Sequence, residues 1–429
     1  MNVVITIPLI GFAMFVCVTV QASTPAFEPL FSGHDLSGWV NVNTDKDTWT
    51  AETGVLHCSG STSGILRTAS MYENYVLEFE WFSVNGRDLP EVLVHTDALP
   101  AVGSPFPKGI KGPSDQAACV GFLAVNGAQI EHSGSTGPVA DRSGLWNHYR
   151  LESQGGELTV AVNGRDVARG TAALPRKGYI AFASSGAVVA YRNIRLAPLP
   201  SNHPSENQIA AIDEGFVSLF SGSLDDHWEM KPGHIGHWKA EDWLIDYDGS
   251  SAEKDKCLWS KASFSDFVLT ADVRFTREPQ VMATPVVTPG GEDATHADGT
   301  KVTVDLPYFG DTGIYVRGDS KNQINIGNRY IGSGEIYGYR VDRRLPAEVR
   351  ASVTPSIKAD KPAGEWNRFV ITLIGDRITV VVNGQVVIDR AELPGIAEAG
   401  RIALQDDHWD NNLFQFANLF IKPLDGSPN

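Results

Sequence analysis

The chain is poor in basic charge, in cysteine and in long amphipathic helical runs. Lys and Arg number 35 against 51 Asp and Glu in 429 residues, a formal net charge of −16. Binding to phosphate backbones needs clustered Lys and Arg, so this balance argues against a nucleic-acid partner and against adhesion to an anionic membrane surface. Of the four cysteines, Cys17 falls in an apolar N-terminal run, and Cys58, Cys119 and Cys257 have no metal-type spacing. The odd number leaves at least one thiol unpaired; Cys58 with Cys119 is one pairing, and a buried free thiol is the expectation for each. Charged residues make up only 20% of the chain, while Gly (42) and Pro (24) are plentiful. What remains is a succession of short Val-, Ile-, Tyr-, Phe- and Thr-rich stretches separated by turn residues, which predicts an all-β fold.

Residues 3–20 are apolar or nearly so, and Val20-Gln21-Ala22 offers small residues for a peptidase before Ser23. This reads as a secretory signal over residues 1–22. The expectation is export to the periplasm, cell envelope or medium, with no membrane span after signal cleavage. The run carries no Lys or Arg at its start, so an uncleaved anchor is the alternative.

The most informative feature is an internal repeat. Leu30-Phe31-Ser32-Gly33 with Trp39 and Trp49 returns as Leu219-Phe220-Ser221-Gly222 with Trp228 and Trp238, at identical spacings. Gly144-Leu145-Trp146-Asn147 matches Gly364-Glu365-Trp366-Asn367, each Trp lying 17 residues before an Asn-Gly pair, and the copies close on Tyr191–Leu196 and Phe416–Ile421. Asn163-Gly164 and Asn383-Gly384 sit between apolar alternating runs, a type I′ hairpin signal. Two tandem jelly-roll β-sandwiches are expected, over residues 24–199 and 214–423 with a linker at 200–213. Trp39, Trp49, Trp228 and Trp238 read as core or sheet-edge residues.

The copies diverge inside. From Trp228 to Trp366 is 138 residues, against 107 from Trp39 to Trp146, and the excess falls mainly in 284–311, a stretch rich in Gly, Pro, Asp and Thr that reads as a long loop, functional or simply mobile. After it, Arg317, Gln323, Asn325, Glu335, Tyr337 and Arg340 alternate with apolar neighbours, so that Gln323 and Asn325 share a strand face opposite Ile324 and Ile326. Amides, guanidiniums, a carboxylate and aromatics on one sheet face suit a sugar; a solvated face with cross-strand ion pairs is the plainer reading. Gln405-Asp406-Asp407-His408 precedes the last strand and can meet the same face. His408 is a general base, a metal ligand with Asp407, or a loop histidine without a duty.

These motifs, Gly313-Ile314-Tyr315-Val316-Arg317, Glu335-Ile336-Tyr337-Gly338, Ala363-Gly364-Glu365-Trp366-Asn367, Val382-Asn383-Gly384 and Leu404-Gln405-Asp406 with His408, resemble the 3-keto-disaccharide hydrolase (3-keto-glucoside lyase/hydratase) family. The resemblance covers both copies. It implies a concanavalin A-like lectin/glucanase sandwich and chemistry on oxidised sugars, in which a C3 ketone acidifies the C2 hydrogen and the C1 substituent leaves by β-elimination. One base and a stabiliser for the enediolate are then required. Glu335 or His408 is the implied base; Arg317, Arg340 or a bound divalent metal holds the enolate oxygen; Gln323, Asn325, Tyr337, Arg340, Gln405 and Asp407 bind substrate. No cofactor is certain. Many relatives carry Glu and Gln where this chain has Gln323 and Asn325, which removes one candidate acid, although Gln-x-Asn followed by Gly-Ser-Gly-Glu resembles a subtype of the family. The first copy departs further, with Glu91-Val92-Leu93-Val94-His95, Ile110-Lys111-Gly112-Pro113 and Ala183-Ser184-Ser185-Gly186, and reads as catalytically degenerate. A lectin-like protein without chemistry is the alternative function.

Overall fold

The computed structural model describes residues 26–84, 90–113, 121–135, 144–255, 257–406 and 412–424. Within them the chain is almost wholly β, arranged as two jelly-roll sandwiches. A nine-stranded and a six-stranded sheet form the first; an eight-stranded and a five-stranded sheet form the second, with a separate two-stranded ribbon. No helix of the described residues is long and apolar enough to cross a membrane.

Alternation builds each core. In the large sheet of the second sandwich, Leu269, Ala271 and Val273 point inward beside Phe369, Ile371, Leu373, Ile378, Val380 and Val382, and meet Leu258, Ile314, Ile324, Ile326, Ile402 and Leu404 from the five-stranded sheet. Burying such side chains contributes roughly 1.5–3 kcal/mol each relative to exposure. Asn163 (φ 50°) and Asn383 (φ 50°), each followed by a Gly at φ 76° or 80°, adopt the left-handed conformation that a tight hairpin requires. The repeated Leu-Phe-Ser-Gly…Trp motif has one physical meaning in both copies. The indole of Trp39 donates to the Leu30 carbonyl (3.1 Å) and that of Trp228 to the Leu219 carbonyl (2.8 Å), pinning the entering strand to the core. All four anchor tryptophans are buried, and Cys58 and Cys257 are buried free thiols; Cys119 lies outside the described residues.

The outer face of each small sheet meets a different fate. In the first sandwich Val42, Ile65, Leu93, Ala181 and Ala183 point away from their own core and bury against Phe420, with Phe216 packed alongside, both from the second copy. A polar knot closes this contact. Asn418, left-handed at φ 49°, donates to Asp272 Oδ2 (2.6 Å) and to the Ala101 and Ser104 carbonyls, and accepts from Asn43. Asp272 also accepts from the Gly103 amide and is clamped by Arg368 at 2.7 and 2.8 Å. The first copy therefore covers the outer face of its small sheet with its neighbour. The matching face of the second copy carries Tyr315, Gln323, Asn325 and Glu335, all of them buried.

Candidate functional site

The five-stranded sheet of the second sandwich runs in the order Trp228–Glu229, Leu258–Phe264, Gly400–Leu404, Asp311–Val316, Asp319–Gly327. Beyond its edge, residues 334–336 lie alongside the last strand: the Gly334 amide donates to the Asn325 carbonyl, the Asn325 amide to the Glu335 carbonyl, and Ile324 bridges Ile336. Gly313 pairs with Asn325, and the Gln405 amide donates to the Gly313 carbonyl. Gln405, Gly313, Asn325 and Glu335 thus form one row across the outer face, at about 4.8 Å per strand. Ile314, Ile324, Ile326 and Ile336 fill the core behind it.

At the Glu335 end the polar groups are dense. Glu335 is 0% exposed and accepts from Arg340 Nε through Oε2. Its Oε1 lies 3.9 Å from Arg329 Nε, and neither atom has a hydrogen bond. Arg329 is ion-paired with Asp311, whose Oδ1 accepts from Asn325 Nδ2 at 2.8 Å, while Asn325 Oδ1 is buried without a partner. An unbonded buried polar atom costs about 1–3 kcal/mol. Three of them in one connected network mark a surface arranged for something other than folding. Burial works to lower the Arg329 pKa, but Asp311 and Glu335 outweigh it and hold the group above its ordinary value, a fixed cation.

A cleft of about 310 Å³ opens over this network, lined by Glu335, Arg329, Arg340, Tyr337, Asp293 and Lys301 among others. The Tyr337 ring stands at its mouth, 37% exposed, with both guanidinium carbons 5.7 Å from its centroid. Arg340 also reaches the Gly291 carbonyl (3.3 Å) and Asp293 (3.8 Å), tying the floor to the ribbon formed by Gln280–Pro285 and Thr303–Tyr308. At the other end of the row Gln323 Nε2 donates to Gln405 Oε1 (2.5 Å) over Gly313. A Cβ there would sit 2.7 Å from Gln405 Oε1 and 2.9 Å from Gln323 Cγ, so glycine is what lets the two amides meet.

Of the residues expected from sequence, the structure brings together Glu335, Arg340, Asn325 and Tyr337, with Gln323 and Gln405 further along the same face. Arg317 is corrected. It lies at the far end of its strand, about 20 Å along the backbone from Asp311. There it donates to the Ser265, Gly375 and Ala397 carbonyls and pairs with Asp266 at 3.0 Å. His95 occupies the matching place in the first copy, also at positive φ, bonded to the Pro175 carbonyl and Ser153. Both are posts that hold neighbouring loops. Asp407 and His408 lie outside the described residues. Asp311 and Arg329 were missed. Asp311 was discoverable, because two-residue alternation from Gly313 places it on the same face; Arg329, beyond the strand end, gave no such signal. Among the described residues no three His, Cys, Asp or Glu are grouped to hold a metal ion.

A larger cavity, about 700 Å³, lies on the first sandwich between Phe27, Phe31, Glu78, His148 and Arg195. Its charges are consumed internally: Glu78 pairs with Arg150 and Arg195 at 2.7 Å each, and Glu80 with Arg192 at 2.7 Å. The smaller cleft, with its unbonded buried atoms, is the better site.

The chain is thus a pair of jelly-roll sandwiches, the second carrying an acidic–cationic cleft at the edge of its five-stranded sheet. The family model of the 3-keto-alpha-glucoside-1,2-lyase-like domain matches residues 26–197 and again 215–422, and the chain belongs to that family in two copies. No curated protein matches it in sequence. Among solved structures it is similar to a glycosyl hydrolase candidate from Parabacteroides distasonis ATCC 8503, at 17% identity over 41% of this chain and 94% of that one, with a TM-score of 0.32. A second such protein from the same organism matches at 19% identity over 41% and 100%, with a TM-score of 0.31. A Bacillus licheniformis beta-glucanase matches at 11% identity over 42% and 100%, with a TM-score of 0.27.

Proposed function

We propose that the second sandwich cleaves 3-keto-glycosides in the cleft at the edge of its five-stranded sheet by elimination and rehydration. The observation that carries this reading is the buried Glu335 Oε1 facing Arg329 Nε at 3.9 Å with neither hydrogen-bonded, on the floor of a cleft. Glu335 takes the C2 proton, and the electron pair left at C2 moves into the C3 carbonyl to give an enediolate. Arg329 and Arg340, both within reach of the Glu335 carboxylate, supply positive charge where that oxyanion develops. The enediolate then re-forms the ketone, a C1=C2 double bond appears, and the C1–O bond breaks. The proton on Glu335 returns to the leaving oxygen. Water adding across C1=C2 yields the 3-keto sugar, so the net reaction is hydrolysis. Asn325, Tyr337, Gln323 and Gln405 bind hydroxyls. Two carboxylates flanking the glycosidic bond are not needed for this route.

We place the protein outside the cytoplasm, on the signal-like residues 1–22; N-terminal sequencing of the mature protein tests that. The reaction is tested by incubating purified protein with a 3-keto-disaccharide and its unoxidised parent, with and without chelator. Release of the leaving sugar from the keto substrate alone supports elimination, and sensitivity to chelator assigns the electrophile to a metal. Binding of either sugar by calorimetry with no turnover would instead favour the lectin-like reading.

A further inference from the structure

The cleft reverses the charge of the molecule that carries it. The chain as a whole stands at −16, yet residues 317–361, which supply the cleft floor and one wall, hold nine Lys and Arg against five Asp and Glu. The floor cations are committed, Arg340 to Glu335 and Arg329 to Asp311. The rim cations are not. Arg343, past the end of the short helix Tyr337–Arg340, is 59% exposed and donates to Glu292 Oε1 at 2.8 Å. The same oxygen accepts from Arg350 at 2.7 Å, and Arg350 is buried. Two guanidiniums therefore share one carboxylate oxygen. The buried one has the stronger need of it, because a buried charge without its partner costs far more than an exposed one. Lys301, on the other wall, repeats the pattern. It is 60% exposed and pairs at 2.7 Å with Asp293, which also faces the buried Arg340 at 3.8 Å.

Resting on the elimination proposed above, we propose that the glycoside this cleft takes is acidic, its carboxylate held by Arg343 with Lys301 at the facing wall. The elimination needs one base and positive charge at the enediolate, and Glu335, Arg329 and Arg340 supply both. The rim cations are surplus to that chemistry. Each can turn to a ligand without stranding its present partner, since Glu292 keeps Arg350 and Asp293 keeps Arg340. The exchange costs little, because an ion pair as exposed as Arg343–Glu292 contributes little to stability. A neutral sugar leaves the excess positive charge at Glu292 without a counterion. A carboxylate meets the planar guanidinium as a forked, charge-assisted pair. A cationic cleft in an acidic molecule also draws an anion toward it and away from the rest of the surface.

The carboxylate has two places on such a substrate. It is C6 of the ring that bears the ketone, as in a uronide, or it is part of the leaving group. Both present the same chemistry to Arg343, and probes of nearly one size separate them.

The probes are methyl 3-keto-α-glucoside, which is neutral, methyl 3-keto-α-glucuronide, with the carboxylate on the keto ring, and carboxymethyl 3-keto-α-glucoside, with it on the leaving group. In the wild-type protein one of the two acids should show a KM on the order of tenfold below that of the neutral glycoside. The advantage should shrink as salt is raised. Arg343→Gln should remove it while changing the neutral KM by less than about twofold, and Arg343→Lys should restore part of it. The acid that gains identifies which end of the substrate faces the rim. Equal KM values for all three probes in the wild-type protein would overturn the acidic class, as would an advantage that survives Arg343→Gln. Turnover of none of the three would remove the reaction and leave the anion site to calorimetry with the three unoxidised parents. There, a preference for an acid that Arg343→Gln abolishes would keep the site, and equal binding or none would end it.

Discussion

Glu335 is held by one arginine and faced by another, so its substitution separates chemistry from folding. Glu335→Gln keeps the shape and can still accept from Arg340, but it cannot take a proton. Turnover should fall by about 100-fold or more, the range for loss of a general base, with the melting temperature little changed. Arg340→Ala, in contrast, strands a buried carboxylate and should cost about 3–5 kcal/mol of stability. Comparing the two variants by kinetics and thermal melting checks both statements. His95, the first-copy counterpart of Arg317, gives a pH prediction. Burial lowers its pKa to about 4, from an ordinary 6.5. Glu73 opposes that shift and Arg176 reinforces it. Between those values the unfolded chain binds a proton that the folded chain does not, so stability drops as pH falls from about 6.5 to about 4 and is flat above. The drop is of the order of 3 kcal/mol. His95→Gln should flatten the dependence of the urea midpoint over that window, and an unchanged slope would refute the assignment.

The stretch 284–311 reads from sequence as a long loop, functional or simply mobile, yet strands frame it. Gln280–Pro285 pairs with Thr303–Tyr308, and further bridges join Val287 to Asp293 and Thr295 to Lys301. Alternation could not reveal this ribbon, because neither of its faces is fully buried and Pro, Gly and Asp interrupt it. By contrast Asp311–Val316 and Asp319–Gly327 were legible, since core apolar side chains alternate with others along each, although both faces of Asp311–Val316 are buried. The same physics explains which site residues were found. Gln323, Asn325 and Glu335 sit in alternating register, whereas Arg317 has the right chemistry but is bonded to carbonyls that no local pattern discloses. A ribbon of two strands needs anchoring, and Glu292 provides it, accepting from Arg350 at 2.7 Å and Arg343 at 2.8 Å. Glu292→Ala leaves the buried Arg350 short of a partner and frees the wall of the cleft. Limited proteolysis should then cut between residues 280 and 308 sooner than in the wild-type protein, with kcat/KM reduced. A wild-type digestion pattern would show that the anchor lies elsewhere.

Duplication gave this molecule two small sheets, and the second sandwich covers the outer face of one of them. Every residue of the candidate site comes from the second copy, whereas the first contributes an apolar sheet face and the carbonyls that fill the Asn418 knot. Sequence divergence in the first copy goes with a changed neighbour: the outer face of its small sheet meets Phe420. Residues 213–429 alone would expose Phe216 and Phe420 and would lose the Gly103 amide from Asp272 and the Asn43 amide from Asn418. Asp272 keeps Arg368, so the ion pair survives and the isolated sandwich should still fold. The lost burial and hydrogen bonds amount to a few kcal/mol, which for a domain of this size lowers the melting temperature on the order of 5–10 °C. Turnover per folded molecule should stay within about twofold of the full chain, because no first-copy side chain lines the cleft. An equal melting temperature would mean that the interface contributes nothing to stability. A folded but inactive second sandwich, rescued by adding the first, would show that the site depends on the covered face after all.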